Sequence, residues 1–130
     1  MTRARLREIA PISLIIAFAL ILRLWRLNLP KGYIFDEVYY AKNANSLIRN
    51  GVELNVQGQA EFIVHPPLGK WLIGIGIKIF GNDEFGWRIS AAVIGTLSVV
   101  LIYLITKELF KSVFLSNIAA ALMALSLIHI

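Results

Sequence analysis

Two adjacent acidic residues, Asp36 and Glu37, follow the first apolar segment and are candidates for chemistry. A carboxylate at a membrane surface can accept a proton from a hydroxyl group and thereby activate an alcohol as a nucleophile. The alternative is structural: Asp36 caps the N-terminus of a helix, and Glu37 lies in its first turn. Because acidic caps are common, the dipeptide alone favours the structural interpretation.

A second candidate motif is His65-Pro66-Pro67-Leu68-Gly69-Lys70-Trp71. The tandem prolines restrict the backbone and place His65 just before the start of a predicted helix. A helix N-terminus attracts phosphate, and Lys70 adds a positive charge. The structural alternative is a rigid joint between loop and helix, with Trp71 at the membrane interface.

Two arginines, Arg23 and Arg88, lie near the ends of predicted hydrophobic helices. Ionisable residues in such positions are costly and indicate either function or pairing. A guanidinium binds a phosphodiester or a carboxylate bidentately. The alternative is that each side chain extends to the lipid headgroups.

Composition indicates a membrane protein, because 58% of the 130 residues are apolar and a soluble domain of this length could not bury them. The formal charge of +5 is not arranged as a basic stripe, so nucleic acid is not an expected partner. The chain has no cysteine, and neither a cofactor nor a metal is expected. A metal set of Asp36, Glu37 and His65 is the less favoured alternative.

We predict an all-α integral membrane protein in which residues 1–130 form a single region. Apolar runs predict transmembrane helices over about 9–29, 85–106 and 113–130. The polar segment of about 30–84 then forms one long loop. The third run is still apolar where the chain stops, so we expect a fragment of a longer protein.

The loop is predicted to contain two helices. Apolar residues recur at helical spacing from Asp36 to Asn50, and Asn50-Gly51 is a typical helix end. The second helix starts at Pro66-Pro67 and runs to Phe80. It is too short to span a bilayer, so we expect both helices to lie in the membrane interface. The segment Glu61-Phe62-Ile63-Val64 is compatible with a short extended stretch.

Positive charges predict the orientation of the chain in the membrane. Arg3, Arg5 and Arg7 crowd the N-terminus, and Lys107 and Lys111 occupy the short connection between the second and third spans. The positive-inside rule places these residues in the cytoplasm. Residues 30–84 are therefore expected on the extracytoplasmic face.

The order of these motifs resembles the N-terminal part of the protein O-mannosyltransferases, polyprenyl-phosphate-mannose-dependent enzymes of the GT-C membrane fold. The resemblance covers nearly the whole chain. It rests above all on an Asp-Glu pair followed about 28 residues later by His-Pro-Pro-Leu-Gly-Lys. The matching residues in order are Arg23, Phe35-Asp36-Glu37, Tyr39-Tyr40, His65 to Lys70, and Gly86-Trp87-Arg88.

The resemblance implies transfer of a sugar, usually mannose, from a polyprenyl or dolichyl phosphate to Ser or Thr hydroxyls of an exported polypeptide, with inversion. It implies that Asp36 is the general base and that Glu37 positions the acceptor or pairs with an arginine. Arg23 and Arg88 would hold the site and the lipid phosphate. His65 and Lys70 would help to shape the donor pocket.

The resemblance further implies a multi-pass protein of the plasma membrane, or of the endoplasmic reticulum in a eukaryote, with its site on the extracytoplasmic or lumenal face. Its partners are the bilayer, the lipid-linked sugar and the acceptor polypeptide. One alternative is another GT-C transferase that moves a lipid-linked sugar onto lipid or glycan. A second is a non-enzymatic scaffold or transporter segment, which is less favoured because the charged residues gather at one interface.

Overall fold

The computed structural model describes residues 3–55, 57–61 and 65–126, which divide into two compact units. Unit 1 contains the residues up to Trp25 and those from Ala91 onwards, and unit 2 is Arg26–Ser90. Regular structure within the described ranges is helical, apart from one isolated antiparallel bridge between Leu54 and Ala60. The all-α prediction is therefore confirmed for these residues.

Unit 1 contains helix α1 (Arg3–Leu24), most of helix α4 (Glu84–Phe110) and helix α5 (Val113–Leu125). Helices α1 and α5 pack against each other, and Ala19, Ala120 and Ala124 are buried in the core of unit 1. Small residues allow the helix backbones to approach closely, as is common between membrane helices.

An ion pair between Glu8 of α1 and Lys107 of α4 closes one end of unit 1. It places the start of α1 beside the end of α4.

Helix α1 ends five residues before the predicted end of the first apolar segment, at Leu24 rather than Leu29. Arg26 adopts a left-handed conformation with φ of 57°, which an α-helix cannot accommodate. Pro30 follows and disfavours helix at the residue before it. Residues 25–28 therefore form turns, and the expected helix boundary is corrected accordingly.

Unit 2 contains helix α2 (Glu37–Asn50), helix α3 (Pro67–Phe80) and the first turns of α4. Both predicted loop helices are thus confirmed to within one residue. Gly51 ends α2 with φ of 75°, and its N–H donates to the carbonyl of Leu47 at 2.9 Å. This left-handed glycine cap is the helix end that Asn50-Gly51 predicts.

Helices α2 and α3 pack against each other around a small core. Ala41 and Ala44 of α2 are buried there with Ile77 of α3 and Trp87 of α4. Gly74 of α3 faces Ile48 and the backbone of α2 so closely that a side-chain carbon would overlap Ile48. The apolar face predicted for α2 is therefore the face that packs on α3.

The segment between α2 and α3 folds back on itself. Leu54 and Ala60 form the isolated bridge, and the N–H of Glu61 donates to the carbonyl of Glu53 at 2.8 Å. The expected extended stretch from Glu61 to Val64 lies mostly outside the described residues, because 62–64 are not among them.

Within the described ranges, one helix is long and apolar enough to cross a membrane, namely α4 over Glu84–Phe110. It extends beyond the predicted span of 85–106 at both ends. The apolar helix α5 is shorter as far as it is described, and residues 127–130 of the third predicted span lie outside the described ranges. Spans at α1 and α5 remain predictions.

The close approach of α3 and α4 gives a testable prediction about stability. A methyl group at Gly76 would overlap the carbonyl oxygen of Gly86, whereas one at Gly69 would meet nothing within 4 Å. We expect Gly76→Ala to lower the free energy of unfolding by about 1–3 kcal/mol, as overpacking usually does. Gly69→Ala, in the same helix, should be neutral or stabilising because alanine favours helix. Thermal unfolding of the detergent-solubilised protein measures both, and equal stability of the two variants would contradict the described contact.

Candidate active site

Asp36 lies at the N-cap position of α2, but its side chain makes no capping hydrogen bond. The carboxylate is exposed, and no described residue gives it a hydrogen bond or an ion pair. The preceding residue, Phe35, has φ of 49°, an uncommon conformation for a bulky residue, and its side chain is 86% exposed. The structural interpretation of Asp36 as a hydrogen-bonding cap therefore does not account for its position.

The guanidinium of Arg88 organises the loop that carries Asp36. It forms a two-point ion pair with Glu37, with Nε to Oε1 at 2.6 Å and Nη2 to Oε2 at 2.8 Å. Its remaining donors bind the carbonyls of Leu27, Pro30 and Gly32 at 3.0–3.1 Å. An arginine has five N–H donors, so all of them are used within unit 2.

The loop is also held by hydrogen bonds that do not involve Arg88. The N–H of Ile34 donates to Oε2 of Glu37 at 3.0 Å. The N–H of Gly32 donates to Oε1 of Glu84 at 2.8 Å, and the same carboxylate pairs with Lys31 at 3.4 Å. Glu84 and Arg88 are one turn apart on α4, so a single helix face fixes the loop at several points.

Aromatic contacts also hold the loop that precedes Asp36. The ring of Tyr33 lies 4.7 Å from the ring of the buried Trp87, measured between centroids. The ammonium of Lys42 lies 5.6 Å from the centre of the same tyrosine ring, within cation–π range. The Trp87-Arg88 dipeptide thus supplies both the apolar and the polar anchor of the loop.

The pKa of Glu37 reflects its surroundings. Partial burial opposes ionisation, but the hydrogen bonds and charge of Arg88 and the N–H of Ile34 outweigh it, so the pKa lies below the ordinary value of 4.5. Glu37 is therefore ionised at neutral pH and forms an ion pair with Arg88. Asp36 has no such partner among the described residues.

Lys70 is buried in an ion pair that the sequence pattern did not predict. Its ammonium lies 2.6 Å from Oε2 of Glu53, and both side chains are almost completely buried. Asn43 of α2 donates to the same carboxylate oxygen at 3.0 Å. Glu53 was missed because it lies in a loop without a recognisable pattern. The only signal was the need of Lys70, in an apolar helix, for a partner.

His65 is exposed and lies beside α2, where its ring stacks on that of Tyr40 at 5.5 Å between centroids and an angle of 27°. Tyr40 follows Asp36 by four residues and so lies one turn further along α2. The histidine motif and the acidic motif are therefore connected through one helix.

Arg23 belongs to unit 1, where it is buried at the end of α1. Its Nη1 donates to the carbonyls of Ala19 at 3.2 Å and Ala124 at 3.5 Å, and its Nη2 donates to that of Met123 at 3.4 Å. Its Nε is buried without a partner in the part of the chain that the structure describes. Carbonyls at the end of α5 carry partial negative charge and so stabilise the guanidinium.

The structure therefore unites five of the six predicted site residues in unit 2. Asp36, Glu37 and Arg88 form one cluster, and His65 and Lys70 lie around the start of α3. Among the described residues, no three His, Cys, Asp or Glu side chains gather as a metal site would require. The cluster presents one free carboxylate on a loop held by fixed charges, an arrangement suited to general-base chemistry.

Two family models match this chain. Both are described as dolichyl-phosphate-mannose-protein mannosyltransferase, and they cover residues 13–87 and 64–130. No solved structure gives a significant match.

Curated relatives of the chain point to the same family. The polyprenol-phosphate-mannose–protein mannosyltransferase of Mycobacterium tuberculosis is 43% identical over 91 residues, which are 69% of this chain and 17% of the relative. The protein of the same name from Mycolicibacterium smegmatis is 40% identical over 85% of this chain and 22% of the relative. An undecaprenyl phosphate-alpha-4-amino-4-deoxy-L-arabinose arabinosyl transferase of Pseudomonas savastanoi is 32% identical over 76% of this chain and 19% of the relative.

The chain thus spans about one fifth of the length of the curated relatives it matches. Each of the two family models covers at least half of the chain, and together they extend from residue 13 to residue 130. The chain therefore belongs to the dolichyl-phosphate-mannose-protein mannosyltransferase family.

Proposed function

We propose that the protein transfers mannose from a polyprenyl-phosphate donor to Ser or Thr hydroxyls of exported polypeptides, with inversion. The observation that carries this proposal is the exposed carboxylate of Asp36, which has no partner among the described residues and lies on a loop held by Arg88. Membership of the family supplies the donor and acceptor classes.

In the proposed reaction, the hydroxyl oxygen of the acceptor attacks the anomeric carbon of the sugar. The bond from that carbon to the phosphate oxygen breaks, and the bonding pair leaves with the lipid phosphate. Asp36 accepts the hydroxyl proton. A phosphate is a good leaving group, so the remaining requirement is fixed positive charge near the departing oxygen.

We assign Glu37 and Arg88 to positioning Asp36, because every N–H of Arg88 is used by Glu37 and by loop carbonyls. We assign Lys70 to holding α3 through Glu53, because its ammonium is buried in that pair. His65, which is exposed beside α2, is the remaining proposed donor-side group of unit 2. Arg23 is assigned to joining the ends of α1 and α5 within unit 1.

We further propose that α1, α4 and α5 each cross the membrane, as in the N-terminal part of a GT-C fold. The Glu8–Lys107 pair and the contacts of Arg23 with the end of α5 support an arrangement in which α1 and α5 run parallel and α4 runs opposite. Three consecutive crossings have this pattern. The N-terminus is then cytoplasmic, and unit 2 lies on the extracytoplasmic face.

The first prediction of this proposal concerns the base. Asp36→Asn keeps the size of the side chain but cannot accept the proton, so transfer from polyprenyl-phosphate mannose should fall by about 10²–10⁴-fold. Glu61→Gln, which neutralises an exposed carboxylate elsewhere in unit 2, should retain wild-type transfer. Mannose incorporation into a Ser/Thr peptide measures both. Wild-type turnover of the Asp36→Asn protein would eliminate Asp36 as the base.

A second prediction concerns the ion pair of Glu37. Because its pKa is lowered by folding, its contribution to stability is present above pH 4.5 and is lost as the pH falls through the lower, folded value. Glu37→Gln should therefore lower the melting temperature at neutral pH and reduce the further loss on acidification below pH 4.5. Glu61→Gln serves again as the control and should keep the wild-type acid profile. An unchanged profile in Glu37→Gln would show that the pair does not stabilise the fold.

A third prediction concerns orientation. The chain has no cysteine, so a single Gln57→Cys variant carries a unique thiol in the exposed turn between α2 and α3. An impermeant maleimide added to intact cells should label this thiol. Labelling that requires lysis would place unit 2 in the cytoplasm and reverse the proposed topology.

A further inference from the structure

We propose that a cleft between the C-terminal halves of α2 and α3 binds the phosphate of an anionic phospholipid headgroup. The cleft has a volume of about 340 Å³. Its lining combines two cations and two amides with an apolar floor, consisting of Asn45, Ile48, Arg49, Ile77, Lys78, Gly81 and Asn82.

The charges of the cleft are not compensated within the described structure. No carboxylate among the described residues pairs with Arg49 or Lys78, and both side chains are exposed. Two unpaired cations from different helices that line one cleft favour a shared anionic ligand.

The neighbouring surface of α3 identifies lipid as the source of that anion. One face of α3 is apolar and more than half exposed along its whole length, at Leu68, Trp71, Ile75 and Ile79. These residues recur at helical spacing on the side that faces away from α2, and Lys78 borders them. Acyl chains on this face would place their phosphate at Lys78 and Arg49, because basic pockets beside apolar helices bind lipid headgroups.

The start of α4 also favours lipid as the source of the anion. Helix α3 ends at Phe80, and the helix long and apolar enough to cross the membrane begins at Glu84, packed against α3 through Gly76 and Gly86. The exposed apolar face of α3 therefore belongs to a helix that packs against the start of α4. The lipid site thus rests on the proposed membrane location of unit 2.

The cleft is separate from the proposed reaction site. Asp36 precedes α2 and Arg49 is near its other end, about 20 Å apart along the helix axis at 1.5 Å per residue. The cations do also complement the helix dipoles at the ends of α2 and α3. That effect explains each charge singly, but it does not explain why both line one cleft next to an exposed apolar face.

The test compares lipid binding to variants of equal net charge. Phosphatidylglycerol is titrated into the detergent-solubilised protein, and bound lipid is counted by native mass spectrometry. Arg49→Gln with Lys78→Gln should raise the dissociation constant about 30-fold, since each Lys or Arg near an anionic surface contributes about fivefold. Arg26→Gln with Lys42→Gln, which removes two exposed positive charges elsewhere in unit 2, should leave it near the wild-type value.

Two further binding measurements identify the ligand. Phosphatidylcholine should bind more weakly than phosphatidylglycerol, and millimolar inorganic phosphate should not displace the bound lipid. Wild-type affinity in the Arg49/Lys78 variant, an equal loss in the control, or displacement by inorganic phosphate would each overturn the proposal. Asp36→Asn should bind the lipid normally, so a failure of this proposal and a failure of the proposed transfer reaction are distinguishable.

Discussion

The guanidinium of Arg88 is the constraint on which unit 2 depends. The segment between α1 and α2 has no regular hydrogen bonding that would satisfy its carbonyl groups. Arg88 provides three donors to those carbonyls and two to Glu37. A lysine could not replace it, because an ammonium offers three donors without the planar geometry that a two-point carboxylate contact needs. The result is an irregular loop that is held by five hydrogen bonds from one side chain.

A second set of buried charges stabilises the contact of α2 and α3 with the loop between them. Glu53, Lys70 and Asn43 bring together the loop, α3 and α2 in an interior that has few large apolar side chains. Removing one partner of such a pair leaves a buried charge and typically costs about 3–5 kcal/mol. Unit 2 therefore relies on fixed polar contacts where a larger domain would rely on apolar burial. Such contacts are directional, so they fix the loop, α2 and α3 relative to one another.

The helices of unit 2 were predictable because their signals are local. Gly51 and Pro67 define helix ends by backbone conformation alone, and Ala41 and Ala44 recur at helical spacing. The sequence predicts that Arg88 binds a phosphate or a carboxylate, but it does not distinguish the two. The outcome depends on the loop conformation, which places Glu37 and three carbonyl groups around the guanidinium. Glu53 was unpredictable for the same reason, since its partner lies 17 residues away on another element. The early end of α1 depended on the left-handed Arg26, a conformation that residue type does not indicate.

The contacts of Arg88 also impose an order on how the protein is made. Each of them joins residues that are 51 to 61 positions apart in the chain. The segment from Leu27 to Glu37 leaves the ribosome long before Arg88 does. The acidic pair therefore stays without its native surroundings until translation has reached the first turns of α4. Synthesis of this loop and completion of its geometry are separate events, and the second depends on the arrival of Glu84, Trp87 and Arg88.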